Sequence, residues 1–241
     1  MDLLTAGARD LQIALEPAHL AAFRIYYEEL VSWNEKFNLT AITDYKGAQV
    51  RHFLDSVTCL LALETQRRLT SQSLIDVGTG AGFPGIPLKV LRPGIKLTLV
   101  EATRKKTHFL EHLVQRLGLS NVTVLHARAE TLGQDPAHRE RYDWVMARAV
   151  AEMTILAEYL LPLARIGGRV LAQKGEDAAA EVQLAEAAIV YLGGRVQQLV
   201  PVEMRGLVER RYLVVLDKKA ATPEKYPRRP GMPSKRPLEK S

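Results

Sequence analysis

A turn containing three glycines is the part of the sequence with the clearest chemical meaning. Gly78, Gly80 and Gly82 alternate with other residues directly after the short run Leu74-Ile75-Asp76-Val77, a pattern that predicts a strand turning into a helix. Glycine adopts positive φ readily and lets a ligand approach main-chain N–H groups that a Cβ would cover. A turn of this kind predicts a cofactor crevice at the carboxyl ends of parallel strands.

The spacing of these glycines favours S-adenosylmethionine over a dinucleotide. The order is G-x-G-x-G, whereas dinucleotide-binding turns have G-x-G-x-x-G, and Phe83-Pro84 stands where a pyrophosphate needs a bare turn. S-adenosylmethionine has no pyrophosphate. A nicotinamide-dependent enzyme is the alternative, and titrating NAD against S-adenosylmethionine with a thermal-shift readout separates the two.

A carboxylate follows the second predicted strand, at the position where a ribose would be held. Glu101 ends the alternating apolar run Leu97-Thr98-Leu99-Val100, 19 residues after Gly82. A carboxylate there can accept hydrogen bonds from both ribose hydroxyls, as in dinucleotide-binding folds, where it lies roughly 20 residues on. The glycine turn and Glu101 together are therefore the strongest evidence for a nucleoside-bearing cofactor.

Polar residues also follow the third and fourth predicted strands. After residues 122–125, Ala129 would leave room for an adenine ring and Glu130 would receive its amino group; after residues 142–146 comes Arg148. Any α/β domain has polar residues at its strand ends, because the loops there are solvated. Glu130 and Arg148 taken singly are therefore weaker evidence than the glycine turn.

The chain divides into three predicted regions. Residues 1–70 read as a helical cap, because Leu20, Phe23, Tyr27, Leu30 and Val31 repeat with the spacing of one helical face. Residues 71–217 alternate strands with helices, which predicts an α/β domain with parallel pairing and helices on both faces. Its last two strands, 194–200 and 211–216, are close enough in sequence to form an antiparallel pair at one edge.

Residues 218–241 form a basic, proline-rich tail that holds the whole net charge. Eight Lys or Arg and two Glu in this segment give +6, which is also the charge of the whole chain. Five prolines predict an extended, solvated segment. Such an arm suits the surface of a phosphate polymer, and a disordered solubilising tail is the alternative.

The remaining composition predicts a cytoplasmic protein. The 241 residues are 47% hydrophobic, which is enough for one substantial core. Cys59 is the only cysteine, so no disulfide forms within the chain, and nowhere are there roughly 18 consecutive apolar residues. The sequence His108-Phe109-Leu110-Glu111-His112 matches a zinc signature, but its apolar residues must face the sheet, so we expect no metal.

The residues after the fourth strand limit which atom receives the methyl group. Attack at pyrimidine C5 usually needs a cysteine thiolate, and Cys59 is far in sequence from the cofactor strands. Transfer to an exocyclic amine usually needs an Asp or Asn, two prolines and an aromatic residue after strand four, where this chain has Ala147-Arg148-Ala149-Val150-Ala151. Guanine N7 has a free lone pair and needs alignment but no general base, so it is compatible with the sequence.

A set of short motifs extends along nearly the whole chain. They are Trp33-Asn34, Phe37-Asn38-Leu39-Thr40, His52-Phe53-Leu54-Asp55-Ser56, Asp76 to Pro87, Glu101 with Lys105-Lys106 and Phe109-Leu110, Arg128-Ala129-Glu130, Arg148 to Ala151, and Tyr226-Pro227-Arg228-Arg229. Together these motifs resemble those of the bacterial RsmG proteins, also called glucose-inhibited division protein B.

The resemblance implies a Rossmann-like class I methyltransferase with a mostly parallel seven-stranded sheet and an N-terminal helical cap. It also implies transfer of a methyl group from S-adenosylmethionine to guanine N7 in small-subunit (16S) ribosomal RNA, with the rRNA or the 30S particle as partner. We further expect no membrane association and a monomeric state.

The residues and the resemblance together predict a site. Main-chain N–H groups of the glycine turn and of the following helix start would receive the cofactor's carboxylate. Predicted cofactor-binding residues are Asp76, Gly78, Gly80, Gly82, Phe83, Glu101, Ala102, Thr103, Ala129, Glu130 and Arg148; predicted residues on the guanine and phosphate side are Arg148, Arg128, Asn34, Asn38, His52, Lys105 and Lys174. Ala102-Thr103 stands where many relatives carry a serine, so the contacts after Glu101 are the least determined. A non-catalytic RNA-binding or assembly protein, or a methyltransferase for another RNA position, is the alternative function.

Overall fold

The computed structural model describes residues 1–63, 71–148, 150–204 and 210–238. The described strands form one sheet in the order β3-β2-β1-β4-β5-β7-β6. Strands β1 to β5 pair in parallel, whereas β7 lies antiparallel between β5 and β6. The strands are β1 (Ser73–Val77), β2 (Lys96–Glu101), β3 (Val122–His126), β4 (Tyr142–Arg148), β5 (Ala164–Lys174), β6 (Gly194–Val202) and β7 (Arg211–Lys218). The predicted seven-stranded, mostly parallel sheet with an antiparallel edge pair is confirmed.

The strand order reverses direction between β1 and β4, and this reversal determines where a ligand can enter. From β1 the chain moves outward through β2 and β3, and from β4 it moves outward through β5 on the other side. In open α/β sheets such a switch point leaves a crevice beyond the carboxyl ends of the strands. The glycine turn follows β1, and Arg148 ends β4, so the predicted site residues lie at this crevice.

Helices cover both faces of the sheet and build the N-terminal region. None of the described helices is long and apolar enough to cross a membrane. The helices are α1 (Asp2–Asp10), α2 (Pro17–Asn34), α3 (Tyr45–Gly47), a π-helical segment (Ala48–Leu54), α4 (Asp55–Val57), α5 (Leu60–Leu63), α6 (Gly85–Leu91), α7 (Arg104–Arg116), α8 (Ala129–Gln134), α9 (Met153–Leu160), α10 (Ala178–Tyr191) and α11 (Met232–Lys235).

The N-terminal helices share one hydrophobic core with the sheet. Leu4 and Phe53 belong to the same cluster of buried side chains as Met146 and Leu171, which lie on β4 and β5. The predicted apolar face of α2 omits Tyr26, which is fully buried, whereas the predicted Tyr27 is partly buried and packs against the same core. The Tyr26 hydroxyl donates to the Ala81 carbonyl at 2.6 Å, so this face is anchored directly on the glycine turn.

The C-terminal tail differs from the prediction of an extended, solvated arm: its described residues, 218–238, pack against the domain. Arg228 donates to both carboxylate oxygens of Glu158, which is 1% exposed. Arg139 donates to four main-chain carbonyls, including those of Thr222 and Tyr226. Arg228, one of the basic side chains that suggested an RNA-binding arm, is thus used in folding, since a buried carboxylate needs donors.

Candidate active site

The glycine turn has the backbone conformation that the sequence predicts. Gly78, Gly80 and Gly82 have φ values of 68°, 62° and 102°, which residues with a Cβ rarely adopt. A Cβ on Gly82 would lie 2.6 Å from the Tyr26 hydroxyl, so packing as well as conformation requires glycine there. A Cβ on Gly80 would meet nothing within 4 Å, which leaves the main chain of that residue open to a ligand.

Asp76 stabilises this turn through hydrogen bonds to its side chain. It is fully buried, and its Oδ2 accepts hydrogen bonds from the Thr79 hydroxyl at 2.6 Å and the Gly85 N–H at 2.8 Å. Burial raises the pKa of Asp76 to about 6, although both hydrogen bonds act in the opposite direction. Asp76 therefore supports the turn from within the core.

Glu101 joins the end of β2 to the same turn. Its Oε2 accepts from the Gly80 N–H at 3.1 Å and its Oε1 accepts from the Thr103 N–H at 2.8 Å. Each carboxylate oxygen has two lone pairs, so both can still accept a bond from a ribose hydroxyl. Glu101 is 8% exposed and lines a cleft of about 210 Å³ at the strand ends.

We name this cavity the first cleft. It is walled by the ends of β1, β2 and β4, by the start of α8 and by the C-terminal segment. Its described lining residues are Val77, Gly78, Val100, Glu101, Ala102, Ala127, Arg128, Ala129, Glu130, Val150, Ala151, Tyr159 and Ser234.

The folded tail supplies one wall of the first cleft. The Gly231 N–H donates to Glu130 Oε1 at 2.8 Å, and the hydroxyls of Tyr159 and Ser234 lie 2.9 Å apart. Glu130 is 4% exposed, so a carboxylate predicted to meet adenine also holds the tail. Its remaining lone pairs leave capacity for the adenine amino group.

A second cavity of about 330 Å³ adjoins the first, and we name it the basic cleft. The two are neighbours because the Lys174 ammonium, in the basic cleft, donates to the carbonyl of Ala151, in the first cleft, at 2.9 Å. Four of its side chains are cationic and one is acidic. The described lining is Ile42, Arg51, His52, Asp55, Arg148, Gln173, Lys174, Gly175 and Arg211.

Arg148 lines the basic cleft and lies two residues before Val150, which lines the first cleft. Its guanidinium pairs with Asp55 at 2.8 Å and lies 5.1 Å from the centre of the Phe83 ring. The His52 ring stacks on the Phe83 ring, and the centroids of the two rings lie 4.5 Å apart. Burial, together with the charge of Arg148, lowers the pKa of His52 to about 4, so its imidazole is neutral at pH 7.

The structure brings some predicted site residues together and separates others. Gly78, Glu101, Ala102, Ala129, Glu130 and Arg128 line the first cleft, and Arg148, His52 and Lys174 line the basic cleft. The other predicted residues lie in neither lining as described. Those in the glycine turn or next to it are Asp76, Gly80, Gly82, Phe83 and Thr103. Those around the loop after α2 are Asn34, Asn38 and Lys105.

Asn34, Asn38 and Lys105 lie around the loop that follows α2. Asn34 Oδ1 accepts from the N–H groups of Leu39 and Thr40, and so shapes the loop after α2. Asn38 is exposed in that loop, whereas the Lys105 ammonium lies 5.4 Å from the Phe37 ring centre. In the zinc-like motif, the His112 ring bonds to Glu29 at 2.7 Å and His108 is exposed.

Sequence reasoning missed several lining residues. Asp55 belongs to the motif His52-Phe53-Leu54-Asp55-Ser56, but the sequence analysis assigned it no role. Gln173 follows the apolar run of β5, and a polar residue at the carboxyl end of a strand could have indicated a place in the site. Ser234 carried no signal, because the tail was predicted to be extended.

The fold and the first cleft define a Rossmann-like methyltransferase. Among solved structures, the fold is similar to a 16S rRNA adenine-N1-methyltransferase from Catenulisporales acidiphilia, with a TM-score of 0.52 over 64% of this chain and 88% of that one, at 14% identity. The family model for rRNA small subunit methyltransferase G matches residues 19–211. The chain therefore belongs to the rRNA small subunit methyltransferase G family.

Full-length relatives carry the same family name. A ribosomal RNA small subunit methyltransferase G from Roseiflexus sp. (strain RS-1) is 52% identical over 99% of this chain and 100% of its own length. One from Pelotomaculum thermopropionicum is 48% identical over 98% of both chains. The sequence similarity to these relatives therefore extends beyond residues 19–211, which the family model matches.

Proposed function

We propose that this protein transfers a methyl group from S-adenosylmethionine to N7 of a guanine in small-subunit ribosomal RNA. The observation that carries the proposal is that a nucleoside-sized cleft adjoins, through the Lys174–Ala151 hydrogen bond, a cleft lined by four cationic side chains, in a chain of the rRNA small subunit methyltransferase G family. The cofactor and the RNA would thus meet beyond the carboxyl ends of β1 and β4.

The residues of the first cleft fit the parts of S-adenosylmethionine. Glu101 presents acceptors for the ribose, Ala129 and Glu130 border the space for adenine, and Gly78 offers main chain that no Cβ covers. When bound, the cofactor supplies a methyl group activated by a sulfonium. A positively charged cofactor would also suit a cleft that is lined by the carboxylates of Glu101 and Glu130.

The basic cleft fits a nucleic-acid substrate. Arg51, Arg148, Lys174 and Arg211 outnumber Asp55, and His52 is neutral at pH 7, so the lining has a net positive charge. Cationic side chains bind phosphates and release counterions, which makes such binding dependent on salt. The acceptor atom N7 carries no proton, so the site needs alignment and a favourable electrostatic environment but no base.

The direct test is methyl transfer to ribosomal RNA. The protein is incubated with labelled S-adenosylmethionine and either deproteinised 16S rRNA or 30S subunits from cells lacking the gene. Borohydride and aniline cleave RNA at N7-methylguanosine, so primer extension then locates the modified nucleotide. One cleavage site that needs the protein supports the proposal, and label recovered in another nucleoside contradicts N7 as the acceptor.

The same experiment decides the alternatives and the partner. A non-catalytic RNA-binding protein would bind both RNAs and transfer no label. We further propose that the protein acts in the cytoplasm as a monomer and that the 30S particle is its partner; the two RNA arms and the mass of the complex in solution test this.

A further inference from the structure

Three buried polar atoms without hydrogen-bond partners lie around the basic cleft. They are His52 Nδ1, Asp55 Oδ1 and Gln173 Oε1, half of the six such atoms among the described residues. The three residues are 6%, 6% and 5% exposed. Each buried polar atom without a partner costs free energy. Because three such atoms lie around one cavity, we expect a ligand there that completes their hydrogen bonds.

The surrounding bonds hold the two oxygens as acceptors. Gln173 Nε2 donates to the Asp55 carbonyl at 2.7 Å and to the Thr58 hydroxyl at 3.3 Å, which makes Oε1 the unused end of the amide. Asp55 Oδ2 is taken by Arg148 at 2.8 Å, whereas the Arg211 Nε lies 3.6 Å from Oδ1, beyond hydrogen-bond distance. Two residues in the lining of the cleft thus each have an acceptor oxygen that makes no hydrogen bond, Asp55 Oδ1 and Gln173 Oε1.

We propose that Asp55 Oδ1 and Gln173 Oε1 recognise the target base as guanine by accepting its N1–H and N2-amino protons. This inference rests on the proposed function. Guanine presents two donors on that edge, whereas adenine has an acceptor at N1, which would face these oxygens without a proton between them. Enzymes that act on extruded bases commonly read this edge. Because N7 lies on the opposite edge of the purine, the contact leaves N7 free for the reaction.

Asp55 also matches the charge that the reaction creates. The N7 lone pair forms a bond to the methyl carbon, the carbon–sulfur bond breaks with its electron pair on sulfur, and the positive charge moves onto the purine. No proton leaves. Asp55 is the one acid among the described lining residues, so its carboxylate lies where it stabilises this developing charge.

The test compares guanosine with inosine, which lacks only the N2 amine. The modified position is first mapped, and 16S rRNA with either nucleoside at that position is made by splinted ligation and assembled into 30S subunits. Methyl transfer is measured for the wild type, Gln173→Met and Asp55→Asn. We expect the wild type to prefer guanosine roughly tenfold or more in kcat/KM, because a buried acceptor loses its partner in inosine. The ratio should fall close to one in at least one variant.

Gln197→Met is the matched control. Gln197 Oε1 is also buried without a partner, but the residue lies on β6 and outside the described lining of both clefts, so the ratio should stay at the wild-type value. Binding of both RNAs to each variant, measured by filter retention with S-adenosylhomocysteine present, gives a readout that does not require turnover. Folding of each variant is compared by urea unfolding.

The outcomes separate this inference from the proposed function. A wild-type ratio near one, or a ratio unchanged in both variants, overturns the assignment of Asp55 and Gln173 while leaving N7 methylation intact. Failure of the wild type to label N7 of guanosine in the unsubstituted RNA overturns the proposed function instead.

Discussion

The guanidinium of Arg148 and the carboxylate of Asp55 form an ion pair at 2.8 Å that joins the end of β4 to the helical region before the sheet. Their side chains are 16% and 8% exposed, so solvent screens the pair only weakly. The pair places a cation in the basic cleft, and the other oxygen of the Asp55 carboxylate, Oδ1, makes no hydrogen bond. The pair therefore links folding of the N-terminal region to assembly of the site.

Replacing Arg148 should cost stability as well as activity. Arg148→Ala leaves the Asp55 carboxylate buried beside only the more distant Arg211, and breaking a buried pair in this way costs about 3 kcal/mol. Arg148→Lys keeps the charge and should recover part of the loss. The free energy of unfolding in urea measures both effects.

Arg165 offers a matched control, because it pairs with Asp143 at the same 2.7–2.8 Å separation but is 47% exposed and lies at the other end of β4 and β5. Arg165→Ala should cost less than about 1 kcal/mol, as exposed pairs do. Equal losses in Arg148→Ala and Arg165→Ala would show that the Arg148 pair behaves as a surface contact.

Replacing Glu101 should weaken cofactor binding through two routes. Glu101→Ala removes the acceptor for the ribose and also the bonds to the Gly80 and Thr103 N–H groups. We expect the affinity for S-adenosylmethionine, measured by isothermal titration calorimetry, to fall at least about tenfold, since hydrogen bonds to charged groups contribute about 1.5–3 kcal/mol. Glu101→Gln keeps one carbonyl acceptor and should be intermediate.

Glu111 is exposed on α7, so Glu111→Ala controls for the loss of a negative charge nearby in the sequence. It should bind the cofactor like the wild type. An unchanged affinity in Glu101→Ala would remove Glu101 from the proposed cofactor site.

The sheet and the glycine turn could be predicted because the signals that define them are local. Alternating apolar runs gave the strands, and three glycines at alternate positions required positive φ, as Gly78, Gly80 and Gly82 have. The full burial of Tyr26 on α2 could not be predicted, for the opposite reason. Tyr26 and Tyr27 both satisfy the helical repeat, and they differ in a contact that Tyr26 makes with Ala81, 55 residues away.

The tail shows the same limit on a larger scale. Its composition indicates an extended, solvated segment, but the Glu158 carboxylate that orders it lies 70 residues earlier, where its burial cannot be seen in the sequence. The pairing of Asp55 with Gln173 depends likewise on packing of the helical region against β5. Local sequence patterns therefore do not determine which distant residues a polar side chain contacts.

Loosening the tail should open the first cleft. Arg228→Ala leaves Glu158 buried without its main donor, which costs about 3 kcal/mol of docking free energy. Hydrogen exchange should therefore rise over residues 222–238, and S-adenosylmethionine should bind more weakly because Ser234 and the Gly231–Glu130 bond wall the cleft.

The neighbouring Arg229 is exposed, so Arg229→Ala removes the same charge without touching Glu158. It should leave both the exchange and the affinity unchanged. If the two variants affect cofactor affinity equally, the tail acts through its charge and its docking contributes nothing to the cleft.

Acid should weaken the fold through His52. The pKa of His52 is about 4 in the folded protein, against an ordinary value of 6.5, because the ring is buried next to Arg148. Between these values the unfolded chain binds a proton that the folded protein excludes, so stability present at neutral pH falls as the pH drops from 6.5 towards 4. The expected loss from this residue is about 2 kcal/mol by pH 5.

The comparison that isolates His52 is the gap in unfolding free energy between the wild type and His52→Gln at pH 7.5 and pH 5. Asp76 has the opposite dependence, because its raised pKa of about 6 makes its contribution largest at low pH and loses it as the pH rises through 6. Since Asp76 is present in both proteins, its effect cancels in the gap. The gap should shrink by about 2 kcal/mol on acidification, and His52→Phe, which also cannot bind a proton, should show the same pH dependence as His52→Gln. A gap that stays constant would mean that His52 takes up its proton equally well in the folded and unfolded chains, and that burial beside Arg148 does not keep it neutral.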